Sequence, residues 1–288
     1  MSDAFLQQYG WFFVSLLGAL LVSLMFVQGA NSLVGSLGGD AEGRRLVINS
    51  TGGKWIFTFI TLIMFGGALY AAFPLFWSTG FGGVHWLWMI VLLSFVLQAV
   101  GYVCRNKAGK WLGDKTIQFF LVQNGFVGPL FVGGVFATFF EGSSLLHPWV
   151  LVFGFAVFFL ARILGTLYII NNVDDADIRA RASTRFLGSA IAFLILFVAY
   201  LVHLFLKDGY ASDSVTGIIS VVPYKYFHNF LEMWYLLVLL LVGFVLVLYG
   251  IIKEIIKCKW SNSKSIWPAS IGTVLIVLAL LLCAGWNS

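Results

Sequence analysis

A chain of 288 residues that is 60% hydrophobic and only 10% charged, with a mean hydropathy of +0.96, has too little polar surface to cover a water-soluble globule. Composition therefore implies an integral membrane protein. The net charge of +5 does not point to nucleic acid, because the bases sit in the short connections between apolar runs.

A helix needs about 20 mostly apolar residues to cross roughly 30 Å of hydrocarbon. Eight such runs lie near 10–33, 55–76, 85–104, 117–140, 149–170, 186–206, 231–252 and 267–286. They are read as helices because backbone groups in lipid must be satisfied internally, and the short alternating strands of a barrel are absent from the sequence. The expected architecture is an all-α integral membrane protein of eight transmembrane helices.

The first span ends in Gln28, Asn31 and Ser32 and is followed by GDAEGRRLVINS, residues 39–50. The second opens behind Lys54 with Thr58 and Thr61, and otherwise holds no carboxylate, His or Cys. The third carries Gln98, and the fourth begins with Gln118, Gln123 and Asn124 and ends at Glu141. Arg162, in the fifth, is the one base well inside a span; at 1.5 Å per residue it sits about 12 Å from the nearer end. It either snorkels to the interface or pairs with an acid or a partner subunit. Glu141 and Glu232, at the far ends of the fourth and seventh spans, are too shallow to reach it and read as outer-surface anchors or the exit of a proton path. The connection from Lys207 to Phe230 has the Asp, Gly, Ser and Pro content of a covering loop.

Fourteen of the 17 Lys and Arg residues fall in the odd-numbered connections: Arg44, Arg45 and Lys54; Arg105, Lys107, Lys110 and Lys115; Arg179, Arg181 and Arg185; Lys253, Lys257, Lys259 and Lys264. By the positive-inside rule those connections are cytoplasmic and the N-terminus is outside. The eleven tryptophans, at or near span ends, read as interfacial anchors. The opening residues Met1 to Gly10 carry no Lys or Arg and do not read as a cleavable signal peptide. DDADIRARASTR (174–185) repeats the pattern of 39–50, with acids ahead of arginines and an apolar helix after them. Four spans separate the two copies, so both point the same way. This gives a parallel repeat of two four-helix bundles, 1–145 and 146–288, unless the likeness is convergent helix capping.

The four histidines lie at outer span ends or in outer loops, where they cannot face one another across a buried haem. Cys104, Cys258 and Cys283 have neither disulfide-framework nor metal-site spacing. Glycines 66, 67, 125, 128, 133 and 134 read as points of close helix approach. The neutral polar groups Gln28, Asn31, Thr58 and Gln98 form the candidate polar cluster, either a wet inlet or a set of interhelical hydrogen bonds. Lys54, Arg162, Glu141 and Glu232 are the candidate partner or charge-pair sites. A secondary transporter is the other class considered, but it would show broken helices with carboxylates at depth, which the sequence does not.

Glu42, Arg44, Arg45, Ile48, Asn49 and Ser50, then GGALYAAFP at 66–74, then Val100, Gly101, Arg105 and Lys107, together resemble subunit II of the cytochrome bd-type quinol oxidases. The likeness is dense over 20–110 and returns at 160–190, with GTLY at 165–168 and RARAST at 179–184. The resemblance implies a chain that binds no haem itself and pairs with subunit I, which holds two b-type haems, one d-type haem and the quinol site. It further implies a complex in the bacterial cytoplasmic membrane that reduces oxygen to water with protons from the cytoplasm. Lipids, and small accessory subunits, are the other expected contacts. Where many members have TDGFD this chain reads VQGAN, and where many have HWDGN it reads KWIFT. Gln28 and Asn31 thus replace acids, Lys54 a His, Ile56 an Asp and Thr58 an Asn, while Gln98 and Ala99 stand in place of an Arg and a Pro. The lost acids put in doubt a proton route through this subunit. The family pattern also continues into a ninth helix, so the resemblance implies a truncated or incomplete copy.

Overall fold

The computed structural model describes residues 3–105, 113–141, 147–212, 219–256 and 264–285. Lys107, Lys110, Lys257, Lys259, Cys258, Trp111, Trp260 and Trp286 lie outside them, as does the side chain of Trp77.

The described residues are almost all helical, and eight of their helices are long and apolar enough to cross a membrane. The first span is α1 (Asp3–Leu24) and α2 (Phe26–Leu37), interrupted at Met25. Then come α3 (Ala41–Thr51), α4 (Trp55–Ala72), α5 (Pro74–Cys104), α6 (Asp114–Glu141), α7 (Pro148–Asn172) and α8 (Ala176–Leu206). A two-stranded antiparallel hairpin, β1 (Gly209–Ser212) and β2 (Ile219–Val222), precedes α9 (Lys225–Glu232), α10 (Trp234–Ile256) and α11 (Ile266–Ala284). The connection expected to be a covering loop therefore has structure of its own.

Lipid tails are as apolar as leucine, so small residues and polar ties must hold such helices together. The α2 helix lies against both α6 and α7, and α1 lies against α4 and α11. At the crossing of α2 and α7, Gly29 faces the Ala161 carbonyl and Gly165 faces the backbone of Gly29 and Ala30; a side chain on either glycine would strike backbone. Gly125 of α6 lies likewise against the backbone of Gln28 and Ser32. Gly67, by contrast, has open space where its side chain would be, and Gly134 only ordinary contacts, so neither marks a close approach. Large apolar side chains such as Ile63, Leu93, Ile195 and Val245 point outward, as a hydrocarbon solvent permits.

The break at Met25 is bridged by α4, where the Thr58 hydroxyl donates to the Leu24 carbonyl at 3.1 Å. Side-chain rescue of this kind makes interrupted helices tolerable in lipid. The two similar connections share their caps. Asp40 accepts from the Gly43 amide and opens α3; Asp175 accepts from the Ile178 amide and opens α8. In each case an arginine four residues on turns back to a carbonyl, Arg44 to Gly39 and Arg179 to Val173. Not every tryptophan is an interfacial anchor: Trp88 is buried against Phe65 and Gly66, and Trp11 donates to the Leu281 carbonyl at 2.8 Å, tying α1 to α11.

Candidate functional site

Two polar centres lie at opposite ends of the helices. The first is at the base-rich end, where α2, α3, α5 and α6 converge. Gln28 Nε2 donates to Gln98 Oε1 at 3.1 Å, and both residues are buried. The Tyr102 hydroxyl donates to Asn31 Oδ1 at 2.8 Å and lies 2.8 Å from Thr51 Oγ1. Asn124 Nδ2 donates to Ser94 Oγ at 2.7 Å, and the Trp55 ring stacks on Tyr102 with centroids 5.7 Å apart. Of the expected cluster, the structure brings Gln28 and Gln98 together and ties Asn31 to Tyr102, whereas Thr58 serves the helix break and Thr61 bonds the Phe57 carbonyl of its own helix.

Thr51, Ser94 and Tyr102 complete the network. Tyr102 carried a readable signal, since it follows Gln98 by four residues and shares its helix face. Every member is an amide or hydroxyl, which can orient a proton-carrying chain but cannot store a proton at neutral pH. Gln28 Oε1, Gln98 Nε2, Asn31 Nδ2 and Asn124 Oδ1 have no partner among the described residues. Lys54, next to this region in sequence, is exposed and makes no side-chain cap bond to α4.

The second centre closes the opposite end. Glu141, the last residue of α6, has a side chain only 1% exposed, which corrects its expected role as an outer-surface anchor. His203 Nε2 lies 3.0 Å from Oε1, while Oε2 meets the Lys207 ammonium and His147 Nδ1 at 3.6 Å. Lys207 also donates to the Phe140 carbonyl at 2.8 Å, and the Tyr226 hydroxyl reaches the same oxygen at 3.3 Å. A base at this position satisfies an orphan carbonyl and opposes the negative end of the helix dipole. Burial pushes the Tyr226 phenol up to about 12, so it remains a neutral donor. The His203 ring stacks on Trp149 with centroids 4.1 Å apart. His203 is thus hydrogen-bonded to the carboxylate, while His147 Nδ1 stands beside it beyond hydrogen-bond range; among the described residues no group of His, Cys, Asp or Glu is arranged to hold a metal.

Of the other expected sites, Glu232 is exposed on α9. The Arg162 guanidinium carbon lies 5.5 Å from the Phe158 ring, and its Nε has no partner among the described residues. Glu254, which sequence reading passed over beside Lys253, is buried near the base-rich end of α10.

The architecture is that of a polytopic helical membrane subunit whose interior is tied by neutral side chains and by one neutralised carboxylate cage. The chain belongs to the family of cytochrome bd terminal oxidase subunit II, whose model matches residues 6–287. It is 26% identical over 237 residues to the cytochrome bd-I ubiquinol oxidase subunit 2 of Escherichia coli strain K12, covering 74% of this chain and 62% of that one. The probable cytochrome oxidase subunit 2 of Haemophilus influenzae is 26% identical over 235 residues, 72% of this chain and 62% of the relative. The cytochrome bd ubiquinol oxidase subunit 2 of Bacillus subtilis is 26% identical over 223 residues, 69% of this chain and 65% of the relative. In each alignment the chain spans less than two thirds of the relative's length.

Proposed function

We propose that this chain is the haem-free subunit of a terminal oxidase that oxidises quinol and reduces oxygen to water in a bacterial cytoplasmic membrane. It is the structural mate of a haem-bearing subunit I, with its N-terminus outside and its base-rich end in the cytoplasm. We further propose that residues 1–145 and 146–288 are two pseudo-repeated four-helix bundles, a reading supported by the matching caps at Asp40 and Asp175.

The observation that carries the proposal is the character of the interior, taken with the family. The buried network at Gln28, Asn31, Gln98 and Tyr102 makes bonds between helices and offers no ligand for iron. The second reading, an assembly scaffold with no proton conduction, is favoured by the same bonds, because amides engaged in tying helices are poorly placed to relay protons.

The test is to purify the chain through an affinity tag, alone and with its co-expressed partner, and to record visible spectra and quinol-dependent oxygen uptake. The chain alone is expected to show no haem absorbance, and the two-subunit preparation to show both haem and activity. Haem retained by the isolated chain would overturn the proposal. In intact cells, Cys104 should resist an impermeant maleimide until the membrane is opened; labelling from outside would reverse the topology.

A further inference from the structure

At the base-rich end, a cleft of about 820 Å³ opens between α3, the end of α5 and the start of α6. Among the described residues four bases line it, Arg44, Arg45, Arg105 and Lys115, against a single carboxylate, Asp114. That carboxylate is engaged with Arg45 at 3.5 Å, in a pair too exposed to bind strongly. Arg44 uses Nη1 on the Gly39 carbonyl, and its Nε is buried without a partner. Arg105 folds over Gly52, where any side chain would collide with its guanidinium, and its buried Nη1 is likewise unpartnered. Those two nitrogens are turned away from the opening, so what recommends the cleft for an anion is its lining, an excess of three positive charges over the one carboxylate.

The surroundings say which anion. The cleft lies at the ends of two spans, and the apolar side chains of Val103 (67% exposed) and Phe119 (62% exposed) are exposed on other faces of the same two helices, as on a surface that meets lipid. A ligand with a phosphodiester at the interface and hydrocarbon below it matches both parts, whereas a free anion uses only the bases. Basic pockets between spanning helices are suited to anionic lipid head groups.

We propose that this cleft binds the phosphodiester head group of an anionic phospholipid in the leaflet at the base-rich end, with Arg105 and Lys115 as the principal ligands. The proposal does not depend on oxidase activity. It is tested on the full chain with its co-purifying subunit, reconstituted in nanodiscs of phosphatidylglycerol and phosphatidylcholine, then extracted into mild detergent and weighed by native mass spectrometry. The intact protein should retain phosphatidylglycerol preferentially. Arg105→Gln with Lys115→Gln should lower retention about 25-fold, taking about fivefold for each of the two bases removed near an anionic surface. Arg45→Gln with Lys115→Gln, which alters only side chains at the rim, should lower it severalfold and serves if the first variant fails to fold. Lys264→Gln, an exposed base outside the cleft, should change nothing, and inorganic phosphate at 10 mM (about a hundredfold over the protein) should displace no lipid. Equal retention in the wild type and the cleft variants would overturn the proposal. So would an equal loss in Lys264→Gln, which would mean diffuse surface charge, or displacement by phosphate, which would mean a free-anion site.

Discussion

The cage around Glu141 makes an asymmetric prediction about stability. The Glu141 side chain is 1% exposed, whereas Lys207 is 23% exposed. Removing one partner of a buried pair costs about 3–5 kcal/mol because the other charge is left uncompensated. Lys207→Met strands the carboxylate, but His203 at 3.0 Å and His147 at 3.6 Å remain, which places the cost near the lower limit, at about 3 kcal/mol. Glu141→Gln leaves an ammonium that keeps the Phe140 carbonyl and can turn toward water, so it should cost only about 1–1.5 kcal/mol. The double variant removes both charges and should cost about 2 kcal/mol, giving a coupling near 2 kcal/mol. Unfolding in mixed micelles titrated with dodecyl sulfate, followed by tryptophan fluorescence, measures all three. Equal costs for the two single changes, or additivity within about 0.5 kcal/mol, would refute the reasoning that burial of Glu141 governs the cage.

At the helix crossing, Gly165→Val should abolish folding or cost well over 2 kcal/mol, because the new side chain meets the backbone of Gly29 and Ala30; a folded yield within twofold of the wild type would contradict the packing. Replacing Gln28 and Asn31 by Leu should leave quinol oxidase turnover per haem within about threefold, a barrier change of about 0.7 kcal/mol. Stability should fall, since Gln98 and Tyr102 lose bonding partners. A hundredfold loss of turnover at unchanged haem content would show that the amides carry protons.

The eight spans were legible because hydropathy over 20 residues is a strong signal. Their interruptions were not. Nothing around Met25 marks a break, since it holds neither Pro nor a Gly pair, and Thr58 is what makes the break affordable. Strands β1 and β2 are only four residues each, too short to stand out from the Asp, Gly, Ser and Pro content of their connection. Half of the Glu141 cage was legible in the sequence, as His203 in the last turn of α8 and Lys207 at its C-cap are four residues apart and both reach Glu141. His147 comes from another element, the cap of α7, and no local spacing could place it there. In the sequence Arg105 is one base among several of its connection, because its fold over Gly52 depends on a contact between the end of α3 and the end of α5 that no local pattern encodes.

The charge nearest the buried amides is not the one the sequence suggested. Lys54 is exposed on this chain, where screening weakens any barrier it sets against an entering proton. Arg105 instead stands a turn beyond Tyr102, close enough to act on its hydroxyl electrostatically, and it is partly buried. A proton approaching Asn31 from this end would pass that guanidinium and then need a hydroxyl already held between Thr51 and Asn31. To move onward it would have to break the Gln28 to Gln98 bond, and beyond that amide pair the described residues of α2 and α5 offer no carboxylate. The nearest acid held at the far end, Glu141, is already matched by Lys207 and His203. Each feature that makes these groups good ties between helices makes them poor relays, which is the ground for expecting the Gln28 and Asn31 substitutions to leave turnover nearly unchanged while stability falls.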